Sequence, residues 1–89
     1  MDIKQAVAAA KHYVADLYSD ELIKNVGLEE VEFDDQKGYW LVTVGLTRVT
    51  PANDFVSALG GTPQRLYKMV TINGATGLPL SLKDREFSH

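Results

Sequence analysis

Residues 30–44 read Glu30-Val31-Glu32-Phe33-Asp34-Asp35-Gln36-Lys37-Gly38-Tyr39-Trp40-Leu41-Val42-Thr43-Val44. Apolar and polar residues alternate on both sides of a polar tetrapeptide, which is the period of a strand with one buried face. Asp35-Gln36-Lys37-Gly38 makes a four-residue turn, with Gly38 able to take positive φ. A loop of that length sets Phe33 opposite Trp40 and Val31 opposite Val42. The apolar side chains then share a face, which supports that register. Strands are expected over about 28–34 and 39–48.

A second hairpin follows over about 65–73 and 78–83. Its turn is Asn73-Gly74-Ala75-Thr76-Gly77. Leu66, Val70 and Ile72 point one way; Tyr67, Met69 and Thr71 point the other. Leu78, Leu80 and Leu82 join either set, because four- and five-residue loops give opposite answers. Analogy with the first hairpin favours the four-residue loop, which places Met69 opposite Leu82. Pro79 donates no backbone hydrogen bond and suits an edge strand or a bulge.

Ahead of the hairpins the period is helical. Ile3, Ala6, Val7, Ala10, Val14 and Leu17 form one stripe. Asp2 is a candidate N-cap. The alanines raise helix propensity and allow close packing against a sheet. The helix is expected over about residues 2–23, ending near Ser19 or running on through Leu22 and Ile23, with a stop by Gly27. Between the hairpins, Thr50 and Pro51 read as N-cap and first helical residue. Ala52, Phe55, Val56 and Leu59 fall at helical spacing, and Gly60-Gly61 is a stop. Residues 50–63 are read either as a short helix closing an open sheet face or as an irregular loop that uses Phe55 to touch a partner. The tail from Asp84 to His89 is expected to fray. The fold class is α+β: one long N-terminal helix on a four-stranded antiparallel meander, within a single small domain, residues 1–89.

Composition bounds the function. The 89 residues are 45% hydrophobic and 24% charged, which suits one globular domain. Nine Lys plus Arg against twelve Asp plus Glu give a net charge of -3. That balance does not attract a phosphate backbone, so no nucleic-acid partner is expected. The chain has no cysteine, which excludes disulfides, thiolate nucleophiles and Cys-based metal sites. No apolar stretch approaches a membrane span. The start of the chain lacks the basic and apolar regions of a signal peptide. A cytoplasmic chain without membrane contact is the expectation.

Little in the chain argues for chemistry. His12, the only internal histidine, has Asp16 at i+4, a simple helix-face spacing. Ser19, Ser57 and Ser81 sit in no nucleophile motif. Glu29, Glu30, Glu32, Asp34 and Asp35 read as a wet strand face and a turn, without the ligand spacing of a calcium loop. Gly60-Gly61-Thr62-Pro63 and Gly74-Ala75-Thr76-Gly77 lack the Lys-Ser/Thr of a phosphate-binding loop. Arg65, Lys68, Lys83 and Arg85, with Tyr67 and Trp40, offer a weak single-strand-binding pattern that the acidic first hairpin opposes. No catalytic, cofactor-binding or metal-binding residue is nominated, and an enzyme is not expected.

The run Tyr67-Lys68-Met69-Val70-Thr71-Ile72-Asn73-Gly74-Ala75-Thr76-Gly77-Leu78-Pro79-Leu80-Ser81-Leu82-Lys83 resembles the closing hairpin of small PepSY-like and cystatin-like bacterial domains. Arg65 with Tyr67-Lys68 is similar to the start of that hairpin, and Val31-Glu32-Phe33 with Tyr39 to Val44 to the first one. Asn73 stands where such turns often have Asp. Leu78-Pro79 replaces an acidic-then-aliphatic pair, a departure that bears on the last strand's regularity. The resemblance implies an interaction or protease-inhibitory module. Nothing matches the cystatin inhibitory loop, so none of its contact residues carries over.

The expected function is a non-enzymatic protein-interaction, regulatory or inhibitory module that binds a protein partner or forms a homodimer. Tyr39, Leu41, Tyr67 and Met69, on the mixed strand faces, and Phe55 are the candidate contacts. The alternative is a small-ligand binding domain or minor enzyme, with a pocket between the sheet and residues 50–63.

Overall fold

The structure, a computed structural model, describes residues 1–61 and 64–86. Its elements are α1 (Ile3–Leu17), β1 (Ile23–Asp34), β2 (Tyr39–Arg48), α2 (Pro51–Ala58), β3 (Leu66–Asn73) and β4 (Pro79–Asp84). The four strands form one antiparallel sheet in the order β1-β2-β3-β4, with α1 packed on one face. This is the α+β meander that the periodicity implies.

Local chemistry starts α1. The Asp2 carboxylate accepts from the Gln5 N–H at 2.8 Å, and Gln5 Oε1 accepts from the Asp2 N–H at 2.9 Å. This reciprocal cap satisfies two otherwise orphaned donors. Ala6, Ala10 and Val14 are fully buried against Val42, Val44 and Leu46 of β2 and Val70 and Ile72 of β3. The alanines bring the helix backbone close to the sheet.

The helix stops at Leu17, near the Ser19 end and not at Ile23. The Tyr18 N–H closes on Val14 O at 3.1 Å, and the Glu21 N–H donates to Tyr18 O at 3.0 Å. Val49 N–H then donates to Leu22 O at 2.8 Å, drawing the chain to the end of β2. Ile23 therefore opens β1, opposite Arg48, five residues earlier than the alternation indicates. Two irregularities hide that start, between Lys24 and Gly27 and between Leu28 and Glu30. Asn25 is left-handed there, with φ 56°. Each extra residue breaks the two-residue period.

The first hairpin has the expected register, with Phe33 opposite Trp40 and Val31 opposite Val42. The Phe33 and Trp40 rings stand 4.9 Å apart between centroids. In the turn, Asp34 accepts from the N–H groups of Gln36 and Lys37 at 3.1 and 3.2 Å, and Gly38 takes φ 71°.

The second hairpin departs from expectation. Its turn is the four-residue one: Asn73 N–H donates to Leu78 O at 2.9 Å, and Ile72 faces Pro79. The ladder then shifts by one residue at Leu80, so Thr71 faces Ser81, Val70 faces Leu82 and Met69 faces Lys83. The expected Met69–Leu82 pairing is thus replaced. The shift lies beside Pro79, which has no N–H to give the ladder. It places Leu82 on the α1 side, where it packs against the core.

The two turns are also joined. Gly74 N–H donates to Gly38 O at 2.8 Å, and a Cβ on Gly74 would lie 2.7 Å from that same oxygen. Only glycine allows this approach.

Residues 51–58 are helical, which decides between the two readings of this segment. Thr50 Oγ1 accepts from the Asn53 N–H at 3.2 Å, Pro51 occupies the first turn, and Asn53 Nδ2 donates to Arg48 O at 2.7 Å. Yet α2 buries none of its residues. Phe55 is 66% exposed and Leu59 71%. The helix forms without closing the sheet. The fraying expected from Asp84 onward does not begin there: Asp84 closes β4 and the Arg85 N–H donates to Tyr67 O at 2.9 Å, while residues 87–89 lie outside the described residues.

Candidate docking face

In an antiparallel sheet, directly opposed residues point to the same side. Tyr39 faces Asn73, Leu41 faces Thr71, Thr43 faces Met69 and Gly45 faces Tyr67. These positions alternate with Val42, Val44 and Leu46, which lie under α1. Tyr39, Leu41, Tyr67 and Met69 therefore share the face turned away from α1, and all four are partly buried. Phe55 does not join them. It sits on α2, exposed.

Two arginines cross this face. Arg65 places Nε and Nη2 each 2.8 Å from Glu29 Oε1, and its Nη1 donates to Asn25 O at 2.7 Å. Its side chain lies over Gly45, where an added Cβ would meet Nε at 2.6 Å and Glu29 Oε1 at 2.5 Å. Arg85 reaches Glu30 Oε1 at 3.2 Å and passes Met69 Sδ at 3.8 Å. Thr43 and Thr47 on the same face are 1% and 4% exposed. The half of the face nearest Arg65 is thus roofed by ion pairs, and the half with Tyr39 and Leu41 is not crossed by them.

Sequence alone does not show these straps: the acids read as a wet strand face and the arginines as a separate basic patch. The available signal was Gly45, since a glycine inside a strand often marks a close approach.

On the α1 side, Lys68 is 9% exposed and ion-paired to Asp84, its cross-strand neighbour. Its ammonium lies 6.0 Å from the Tyr18 ring centroid, and the Arg48 guanidinium lies 5.4 Å from the same ring. The hydrogen bond from Lys68 holds the Asp84 carboxyl below its ordinary 3.8. The same bond, with help from Tyr18, raises Lys68 above 10.5 against the opposing effect of burial.

Both shifts favour the folded state. The Asp84 contribution is present above 3.8 and is lost as pH falls through its lowered folded value. The Lys68 contribution is present below 10.5 and is lost as pH rises through its raised folded value. Lys68→Met should raise the Asp84 titration, followed by carboxyl NMR, toward its ordinary value, because the hydrogen bond that lowers it most is lost. An unchanged Asp84 titration in that variant would show that the pair is not coupled.

Concave regions lie elsewhere among the described residues: a small one of about 240 Å³ lined by Glu21, Leu22, Arg48, Val49 and Thr50, and two larger ones. A groove of about 420 Å³ runs between α1 and β1, lined by Ile3, Lys4, Val7, Ala8, Lys11, Leu28 and Val31. A polar hollow of about 650 Å³ is edged by Arg48, Arg65, Lys68 and Arg85. Those four cations already face Glu21, Glu29, Asp84 and Glu30 respectively. None of these is lined by an α2 residue. Among the described residues no three His, Cys, Asp or Glu side chains are placed to hold a metal ion. His12 is exposed on α1. No described helix is long and apolar enough to cross a membrane.

No family model, curated protein or solved structure matches this chain.

Proposed function

We propose that this chain is a non-enzymatic protein-interaction module, regulatory or inhibitory in role, that receives a protein partner on the open face of its sheet. The carrying observation is the grouping of Tyr39, Leu41, Tyr67 and Met69 on one face that α1 does not cover. Aromatic residues, Met and Arg are the types enriched where proteins meet. The Arg65–Glu29 and Arg85–Glu30 pairs roof the Tyr67 and Met69 end of the face and leave Tyr39 and Leu41 uncrossed beside that polar edge. The likeness of the closing hairpin to PepSY-like bacterial domains supports the same reading. A cytoplasmic site of action is part of this proposal.

The alternative pocket between the sheet and residues 50–63 has less support, because α2 buries none of its residues. The test is affinity capture from the native host with wild type and Leu41→Asp, each checked by circular dichroism for an intact fold. A reproducible partner held by wild type and lost by the variant is the expected result. A partner held equally by both would place the contact on another surface.

A further inference from the structure

We infer that the hollow edged by Arg48 and Lys68 is a binding site for a small phosphate-bearing ligand. The hollow, of about 650 Å³, carries the cations Arg48, Arg65, Lys68 and Arg85 against the acids Asp84 and Glu86. Its surplus is positive, although the chain as a whole carries -3. A concave wall with an excess of one sign concentrates ions of the other.

The cations are not equally engaged. Arg65 is held by Glu29 at 2.8 Å, and Arg85 reaches Glu30 at 3.2 Å. Arg48 stands 3.8 Å from Glu21, too long for a hydrogen bond. Its Nε is buried and has no acceptor among the described residues. A buried donor left without an acceptor is costly, and such groups are rare in folded proteins. An oxyanion on the guanidinium edge would accept from two of its N–H groups at once.

Lys68 supplies a second contact. It is 9% exposed, and its ammonium and the Arg48 guanidinium lie against the same Tyr18 ring. Lys68 is paired with Asp84, and Arg48 also helps to lower the Asp84 carboxyl, so both cations act on one point. The Asp84 side chain is 82% exposed, which makes it a group on the rim that a ligand can displace. A simple carboxylate brings no more charge than Asp84 already does. A phosphate brings close to two charges and three acceptor oxygens, enough to engage Arg48 and Lys68 together. That difference selects phosphate over carboxylate. The volume leaves room for a small organic group beyond the phosphate. Arg48 and Lys68 lie on the α1 side of the sheet, so this site and the open-face docking stand or fall separately.

NMR titration of the full chain with sodium phosphate tests this, at about pH 8 where phosphate is close to a dianion, with ionic strength held constant by chloride. Amide shifts at Arg48, Lys68 and Asp84 should move and saturate, and acetate over the same range should leave them nearly still. Arg48→Gln should weaken binding by about tenfold or more, since the paired guanidinium hydrogen bonds are lost. Arg48→Lys, which keeps the charge but not the fork, should still weaken it several-fold. Asp84→Asn should act in the opposite sense and tighten binding several-fold, because the internal competitor is gone. Circular dichroism of each variant separates lost binding from lost folding. Shifts that do not saturate, an equal response to acetate, an unchanged titration in Arg48→Gln, or weaker binding in Asp84→Asn would overturn the inference.

Discussion

Leu46→Ala should cost this domain about 2–5 kcal/mol, the range for removing a buried leucine and leaving a hole. Leu46 is 0% exposed, lies on β2 opposite Leu66 of β3, and belongs to the cluster under α1. It is paired on the β3 side and covered by Ala6, Ala10 and Val14 of α1, so a hole there is lined by several buried side chains at once. Total stability for a domain is about 5–15 kcal/mol, and small domains sit low in that range. One substitution therefore removes a large part of it. The midpoint of thermal unfolding should fall by about 10–30 °C. Urea unfolding should show a lower midpoint with an unchanged slope. Leu80→Ala is the contrast, since Leu80 is 49% exposed at the β4 irregularity. It should stay within about 1 kcal/mol of wild type. Equal losses at the two positions would mean that the core is not where the structure puts it.

Ala10→Leu should be the second large effect, in the opposite steric direction. Alanine and leucine differ little in helix propensity. A loss of stability at this position therefore reports packing rather than helix formation. Ala10 is 0% exposed between Ala6 and Val14 on the buried side of α1. A leucine there must lift the helix or push Val42, Val44 or Val70 off their rotamers. The expected cost is about 1–3 kcal/mol, rising if the helix backbone has to move. Ala15→Leu on the exposed side of the same helix should change stability by less than about 0.5 kcal/mol. Paired denaturation curves of the two variants check this. Similar curves would show that the helix does not rest closely on the sheet.

The two variants also show which kinds of information a sequence carries. The buried stripe of α1 was legible because helical spacing is a local property, and Ala6, Ala10 and Val14 are its buried centre. The ends of the stripe were less legible. Ile3 and Leu17, at the two ends of the stripe, are about half exposed. The first hairpin was legible down to its register, because turn length and alternation agree there. Tyr39 and Leu41 were legible as the alternate set of β2, but the β2–β3 register that puts Tyr67 and Met69 on the same face was not. Phe55 was a correct reading of a helical stripe but not a member of that face.

Sequence alone determined the order of α1 and the four strands, the Asp35–Gly38 turn, the Phe33–Trp40 pairing, the cap at Asp2 and the helical stripe on α1, and left residues 50–63 open between helix and loop. Each depends on residues a few positions apart, where propensity and turn chemistry decide. Tertiary structure decided the rest: the early start of β1 at Ile23, the one-residue shift at Leu80, the Arg65 and Arg85 straps to Glu29 and Glu30, and the exposed position of α2. A shifted register is settled by which side chains a whole strand can bury. An ion pair such as Arg65–Glu29 joins residues 36 positions apart, and no local pattern encodes that distance.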